Sequence, residues 1–253
     1  MLNTIAVGET TGQPPLLIVH GLFGSARNWG VLQKRLAVGR QVLAVDLRNH
    51  GDSFHDTDNN YAALADDLAR VIDAFGGRAD VLGHSMGGKA AMVLALTQPD
   101  LLRRLIVADI APVAYQHSQM HNLEAMRLVD LSQVTRRAEA DAQLRLRVKE
   151  APLRAFFLQS LALTPQGARW KLNLDALAQA MPEILGFPQI SDGFDGPTLF
   201  LHGGNSDYVA PQYHGLIKTQ FPKAEFAAIA GAGHWLHAEK PREFQTAVEQ
   251  FLR

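Results

Sequence analysis

Gly83-His84-Ser85-Met86-Gly87 sets a serine between an apolar run, Ala79-Asp80-Val81-Leu82, and a helix-forming run from Lys89 to Gln98. A serine centred in G-x-S-x-G on a strand-to-helix turn is a nucleophile elbow. The flanking glycines suit a bend too tight for Cβ atoms. Unpaired backbone N–H groups at the start of the following helix favour negative charge. That is where an oxyanion forms during acyl transfer.

A serine hydroxyl is a poor nucleophile near neutral pH and needs a base. After an elbow serine, the expected chain order is an acid and then a histidine. His234 lies in Gly231-Ala232-Gly233-His234-Trp235, behind the last apolar run. Its small neighbours let the loop fold back and aim the imidazole at Ser85. His237 follows closely, at the approach to a helix. The acid stays open between two positions. Asp109 ends Leu105-Ile106-Val107-Ala108-Asp109, where a buried carboxylate is costly unless partnered, and an imidazole would partner it. Asp207 ends His202-Gly203-Gly204-Asn205-Ser206-Asp207, with Ser206 placed to relay a hydrogen bond between the carboxylate and His234. An oxyanion hole needs two backbone donors. One is the N–H of Met86. The other belongs to the loop His20-Gly21-Leu22-Phe23-Gly24, with Leu22 preferred and Phe23 second. The side chains of Leu22, Phe23 and Met86 line an acyl pocket or simply pack.

These groups need a rigid frame. Short apolar runs at 3–7, 16–20, 41–46, 79–83, 104–109, 198–202 and 224–229 alternate with amphipathic stretches. This is the pattern of a mostly parallel sheet of about seven strands with helices on both faces. In 61–75, Tyr61, Leu64, Leu68, Val71, Ile72 and Phe75 share one helical face. Helices are also expected over 85–98 and 241–252. From 112 to 195 no strand is evident, and helical runs are expected near 119–130, 135–151, 152–161 and 175–181. A structureless stretch that long is improbable in a compact domain. It reads as a helical cap on a core made of 1–111 and 196–253. Ligands of open α/β sheets bind at the carboxyl edge, which such a cap would cover.

Composition narrows the function classes. The chain has 253 residues, is 47% hydrophobic, and carries 24 basic against 25 acidic residues for a net charge of -1. Nothing there calls for nucleic acid or an anionic membrane. There are no cysteines, so disulfides, thiolate catalysis and cysteine-bound metal are excluded. No signal peptide or membrane-length apolar run is read, and the cytoplasm is the default location. No metal or cofactor is expected. His117 and His121 are four apart, as metal pairs often are, but lack further ligands and read as solvated. Lys89 reads as half of a structural ion pair, and Arg48 and Asn49 as loop organisers.

Six segments together resemble the α/β-hydrolase superfamily. They are His20-Gly21-Leu22-Phe23-Gly24-Ser25, Asp46-Leu47-Arg48-Asn49-His50-Gly51-Asp52-Ser53, Gly83-His84-Ser85-Met86-Gly87-Gly88-Lys89, Asp109-Ile110-Ala111-Pro112, Gly203-Gly204-Asn205-Ser206 and Gly231-Ala232-Gly233-His234-Trp235. More closely, they resemble its small YbfF-like carboxylesterases and thioesterases. The resemblance implies a cap inserted after the sixth-strand position of that fold, here 104–109. It implies Ser85 as nucleophile, His234 as base and Asp109 as acid, with a serine of the Gly-Gly-Asn-Ser stretch nearby. It also implies hydrolysis of short- to medium-chain esters or acyl-CoA thioesters; that chemistry requires no cofactor, and the oligomeric state is left open between monomer and homodimer. An elbow serine argues against haloalkane dehalogenases and most epoxide hydrolases, which place aspartate there. Acyltransferases and carbon–carbon bond hydrolases share the triad. A ligand-binding relative with little turnover is the remaining class.

Overall fold

The computed structural model describes residues 1–253. Seven strands form the main sheet: β1 (Thr4–Val7), β2 (Leu16–Val19), β3 (Val42–Val45), β4 (Ala79–His84), β5 (Leu102–Ala108), and, after a long excursion, β8 (Thr198–Gly203) and β9 (Ala224–Ile229). Their spatial order is β1-β3-β2-β4-β5-β8-β9. Only β1 runs antiparallel, against β3. The short apolar runs became strands because both faces of the sheet are covered. Leu17, Val19, Val81 and Val107 point into one core with Leu64 and Leu68, whereas Leu16, Ile18, Leu82 and Ile106 point into the other with Leu32 and Phe244.

Helices α1 (Gly30–Leu36), α2 (Tyr61–Ala74), α3 (Met86–Thr97), α9 (His214–Gln220), α10 (Leu236–Glu239) and α11 (Pro241–Leu252) accompany these strands. Every residue of α3 from Met86 to Leu96 is buried. A helix apolar all round is a core helix, and α3 is the one that begins at the elbow.

Residues 112–195 carry α4 (Met120–Arg127), α5 (Arg137–Leu144), α6 (Ala151–Gln159), α7 (Leu174–Gln179) and α8 (Met181–Leu185). They also carry a hairpin of β6 (Leu161–Thr164) and β7 (Gly167–Trp170), which corrects the expectation of no strand there. Leu-Ala-Leu favours helix and masked it. The turn residues Pro165 and Gly167, the latter at φ +119°, were the available signal. The expected run 175–181 became two helices, with Pro182 opening the second. The excursion has no core of its own: Leu123, Met126, Phe157, Leu177 and Ile184 join the core on the α2–α3 face of the sheet. No helix of the chain is long and apolar enough to cross a membrane.

Candidate active site

Ser85 sits between β4 and α3 at φ +52° and ψ -121°. A non-glycine residue held there costs about 1–3 kcal/mol, so the surroundings must impose it. The Ser85 N–H donates to Ala108 O on the neighbouring strand at 3.0 Å. Two glycines permit the bend. A Cβ on Gly83 would collide with the Gly87 carbonyl, and one on Gly87 with the His20 carbonyl.

His234 Nε2 lies 3.1 Å from Ser85 Oγ. Its Nδ1 lies 2.7 Å from Asp109 Oδ2. A carboxylate only accepts, so Nδ1 carries the proton and Nε2 is free to accept from the serine. Of the two candidate acids, Asp109 is the one brought to the imidazole. It is completely buried, just past the end of β5, at φ +52°. Its other partners are the Gly203 N–H, donating to Oδ1 at 2.9 Å, and Ser206 Oγ, donating to Oδ2 at 2.5 Å. Ser206 therefore braces the carboxylate and does not bridge it to His234. Asp207 is exposed and its side chain makes no hydrogen bond with the protein. The chain turns here, with the Ser206 N–H donating to Gly203 O at 3.1 Å, and only the Ser206 side chain reaches Asp109.

The imidazole is pinned from two further sides. The Tyr208 ring stacks on it at 4.1 Å and 24°. His84 Nε2–H donates to the His234 carbonyl at 2.9 Å. Burial, and then the neighbouring His237 and His234, push the His84 imidazole well below its usual range. His84 therefore stays neutral and holds the loop without adding charge. His237 stacks on Trp29 at 4.3 Å, and burial pushes it down to about 3. Sequence reasoning missed Tyr208 and the part played by His84. No local pattern marks Tyr208, because its partner is distant in the chain.

The loop after β2 passes beside the serine. The Phe23 N–H donates to His50 Nε2 at 3.2 Å, while His50 Nδ1–H donates to Arg48 O at 2.9 Å. Phe23 is thus consumed as a donor, and its φ of +64° belongs to the same tight turn. The Leu22 N–H donates to no protein group. Met86 opens α3, where an N–H has no partner inside the helix. Leu22, Phe23, Ser85 and Met86 line one cavity of about 110 Å³ with Leu153 and Phe157 of α6. The Phe23 ring meets Phe157 edge-on at 5.6 Å.

One expectation fails here. Lys89 has no carboxylate partner. Its buried Nζ donates to Leu185 O at 2.8 Å and Gly186 O at 2.5 Å, and sits 4.9 Å from the centre of the Tyr115 ring. It ties α3 to the carbonyl end of α8, with Tyr61 Oη donating to Ile184 O at 2.7 Å beside it. Carbonyl dipoles at a helix end attract a cation, so no carboxylate is needed to hold it there. Burial pushes its pKa down to about 7. His117 is exposed, as expected, and its Nε2 is also hydrogen-bonded to Tyr208 Oη in the site wall. No cluster of three metal-ligating side chains includes it. Arg48 organises its loop as expected, ion-paired to buried Asp67 at 2.6 Å, and Asn49 Nδ2 donates to Asn59 Oδ1 at 2.9 Å.

Known proteins match this arrangement along nearly its whole length. The sn-1-specific diacylglycerol lipase ABHD11 of Mus musculus is 44% identical over 248 residues, 94% of this chain and 81% of that protein. Esterase YbfF of Escherichia coli is 41% identical over 241 residues, 94% of this chain and 92% of that protein. A solved structure described as a marine microorganism esterase superposes with a TM-score of 0.94 at 37% identity, covering 99% of this chain and 98% of that one. The family model described as the alpha/beta hydrolase fold matches residues 14–241. A match running from just before β2 to the start of α11, over a sheet with this strand order, makes the chain a member of the α/β-hydrolase family.

Proposed function

We propose that this chain is a carboxylic ester hydrolase working through an acyl-enzyme at Ser85. The unbroken hydrogen-bond chain from Ser85 through His234 to Asp109, 3.1 and 2.7 Å long, carries this reading. The similarity to an esterase and to a lipase supports it.

Ser85 Oγ attacks the ester carbonyl as His234 Nε2 takes its proton. The Leu22 and Met86 N–H groups hold the oxyanion. The carbon–oxygen bond to the alcohol then breaks, and His234 returns the proton to the departing oxygen. Water, deprotonated by the same nitrogen, attacks the acyl-enzyme and releases the acid. Asp109 stabilises the imidazolium in both halves. The steps consume an ester and water and nothing else. A thioester carbonyl can follow the same path.

Residues 112–195 serve as a cap over this site in the same reading, because α6 supplies Leu153 and Phe157 to the cavity wall. A cavity of about 110 Å³ is small beside the ~300–1,000 Å³ of drug-sized sites. That favours short acyl groups.

A fluorophosphonate probe should label Ser85, and p-nitrophenyl esters should be hydrolysed with rates falling as the acyl chain lengthens. A wild-type protein that neither labels nor turns over any ester of the series would place it among ligand-binding relatives instead.

A further inference from the structure

The loop that carries the free Leu22 N–H is held from two sides. On the core side, the Gly24 N–H donates to Gly21 O at 3.0 Å and closes a four-residue turn. His20 Nε2 accepts from the Leu47 N–H at 3.0 Å, so Nδ1 bears the proton and donates to Gly21 O at 2.8 Å. That carbonyl shares a planar peptide unit with the Leu22 N–H. Phe23, the third residue of the turn, is strained, because its φ of +64° belongs to a turn position that favours glycine. The relaxed alternative, with negative φ there, flips the Leu22–Phe23 peptide. It would break the Phe23 N–H bond to His50 and swing the Leu22 carbonyl to the other side of the turn.

The other side is the segment 112–195. Ser160 is buried at the carboxyl end of α6, and its Oγ donates to Phe23 O at 3.1 Å. Its main chain is already committed within that segment. Its N–H donates to Phe157 O at 2.9 Å, and its carbonyl accepts from the Lys171 N–H at 2.8 Å. The hydroxyl is thus a fixed donor, presented to the strained residue next to Leu22. Other ties seat the segment on the core independently. Lys171 Nζ meets Asp52 at 2.6 Å, and the Asn173 N–H donates to Asn49 O at 3.0 Å. Of these ties, only that of Ser160 touches the turn at 21–24.

We infer that Ser160 is a positioning residue for the oxyanion hole: its hydroxyl holds Phe23 at positive φ, and so keeps the neighbouring Leu22 N–H aimed at the developing oxyanion. Reacting groups tolerate a misplacement of less than about 1 Å, and the Leu22 N–H lies one residue from the peptide that would flip. The inference rests on the ester-hydrolase reading above.

Ser160→Ala removes the donor and leaves the other ties in place. On p-nitrophenyl butyrate it should lower kcat by about tenfold, the size of one hydrogen bond, with KM little changed, because only transition-state binding is lost. Propyl trifluoromethyl ketone reads the hole directly. Ser85 Oγ bonds to its carbonyl carbon, the serine proton passes to His234 Nε2, and the carbonyl electron pair becomes an oxyanion. The alcohol obtained by reducing that ketone fills the same cavity without an oxyanion. In Ser160→Ala the inhibition constant of the ketone should rise by about tenfold and that of the alcohol should stay put. Lys171→Met, which cuts a tie that does not reach the turn, should leave both at wild-type values. Thermal melts check folding, and if the alanine variant melts below the assay temperature, Ser160→Cys, with a weaker donor, carries the same comparison. Unchanged kcat, equal losses for ketone and alcohol, or the same ketone loss in Lys171→Met would overturn the inference while leaving the hydrolase standing. A wild-type protein that neither hydrolyses the ester nor binds the ketone would overturn both.

Discussion

Two aspartates lie completely buried at opposite ends of the adjacent strands β4 and β5, and they are partnered in opposite ways. Asp80, at the amino edge of the sheet, is gripped by two guanidiniums. Arg40 Nη2 is 2.7 Å from its Oδ2, and Arg103 forks onto both oxygens at 2.8 and 2.5 Å. Asp109, at the carboxyl edge, meets an imidazole, a hydroxyl and one backbone N–H. Arginine does not lose its proton in proteins, so Asp80 is held by fixed cationic partners that act as a brace. Histidine gains and loses a proton near neutrality. Asp109 therefore faces the imidazole that takes up and returns the proton in the proposed mechanism. Both carboxylates are buried and fully partnered; the kind of neighbour, guanidinium or imidazole, is what differs.

Four experiments test that contrast. The largest effect belongs to the carboxyl edge: Ser85→Ala should lower kcat by about 10⁶-fold, the loss typical of removing such a serine, and abolish fluorophosphonate labelling. Asp109→Asn should cost about 10⁴-fold in kcat, because an amide in its place stabilises the wrong imidazole tautomer. Asp207→Asn, assayed beside it on a p-nitrophenyl ester, should stay within about tenfold of wild type, the effect of one hydrogen bond to a charged group. A fully active Asp109→Asn protein would reverse the assignment of the acid.

At the amino edge the effect should be on stability. Asp80→Asn leaves two arginine side chains without their carboxylate and should lower the unfolding free energy by about 3–5 kcal/mol, read by urea denaturation. Its turnover per folded molecule should match wild type. A loss of turnover without a loss of stability would erase the distinction between the two edges.

The smallest effect concerns Lys89, a buried cation with neither arrangement. Burial pushes its pKa in the folded protein down to about 7, against an ordinary value of 10.5. Between those values the unfolded chain holds the extra proton, so raising the pH favours the folded state. Wild type should therefore gain stability relative to Lys89→Met as the pH rises from about 7 towards 10. Parallel stability curves for the two proteins would show that burial does not depress this lysine.

Much of this was legible before any coordinates. The elbow was readable because a serine forced to positive φ needs glycines on both sides, and Gly83 and Gly87 are neighbours in the chain. The seven strands were readable because a sheet covered on both faces demands uninterrupted apolar runs. The hairpin at β6 and β7 was not, since half-exposed strands of four residues leave a weak pattern. Lys89 was misjudged because its partners are main-chain carbonyls, which carry no side-chain signature.

Ser85 and His234 were thus nameable from their neighbours, as turn geometry and apolar periodicity act over a few residues. Which aspartate meets the imidazole, which N–H near Leu22 remains free, and what stacks on His234 were settled by packing. Those contacts join residues up to 125 positions apart, where a shift of one residue, as between Ser206 and Asp207, decides which side chain reaches Asp109. Short-range chemistry is written in neighbouring letters, but alignment across the sheet edge exists only once the chain has closed on itself.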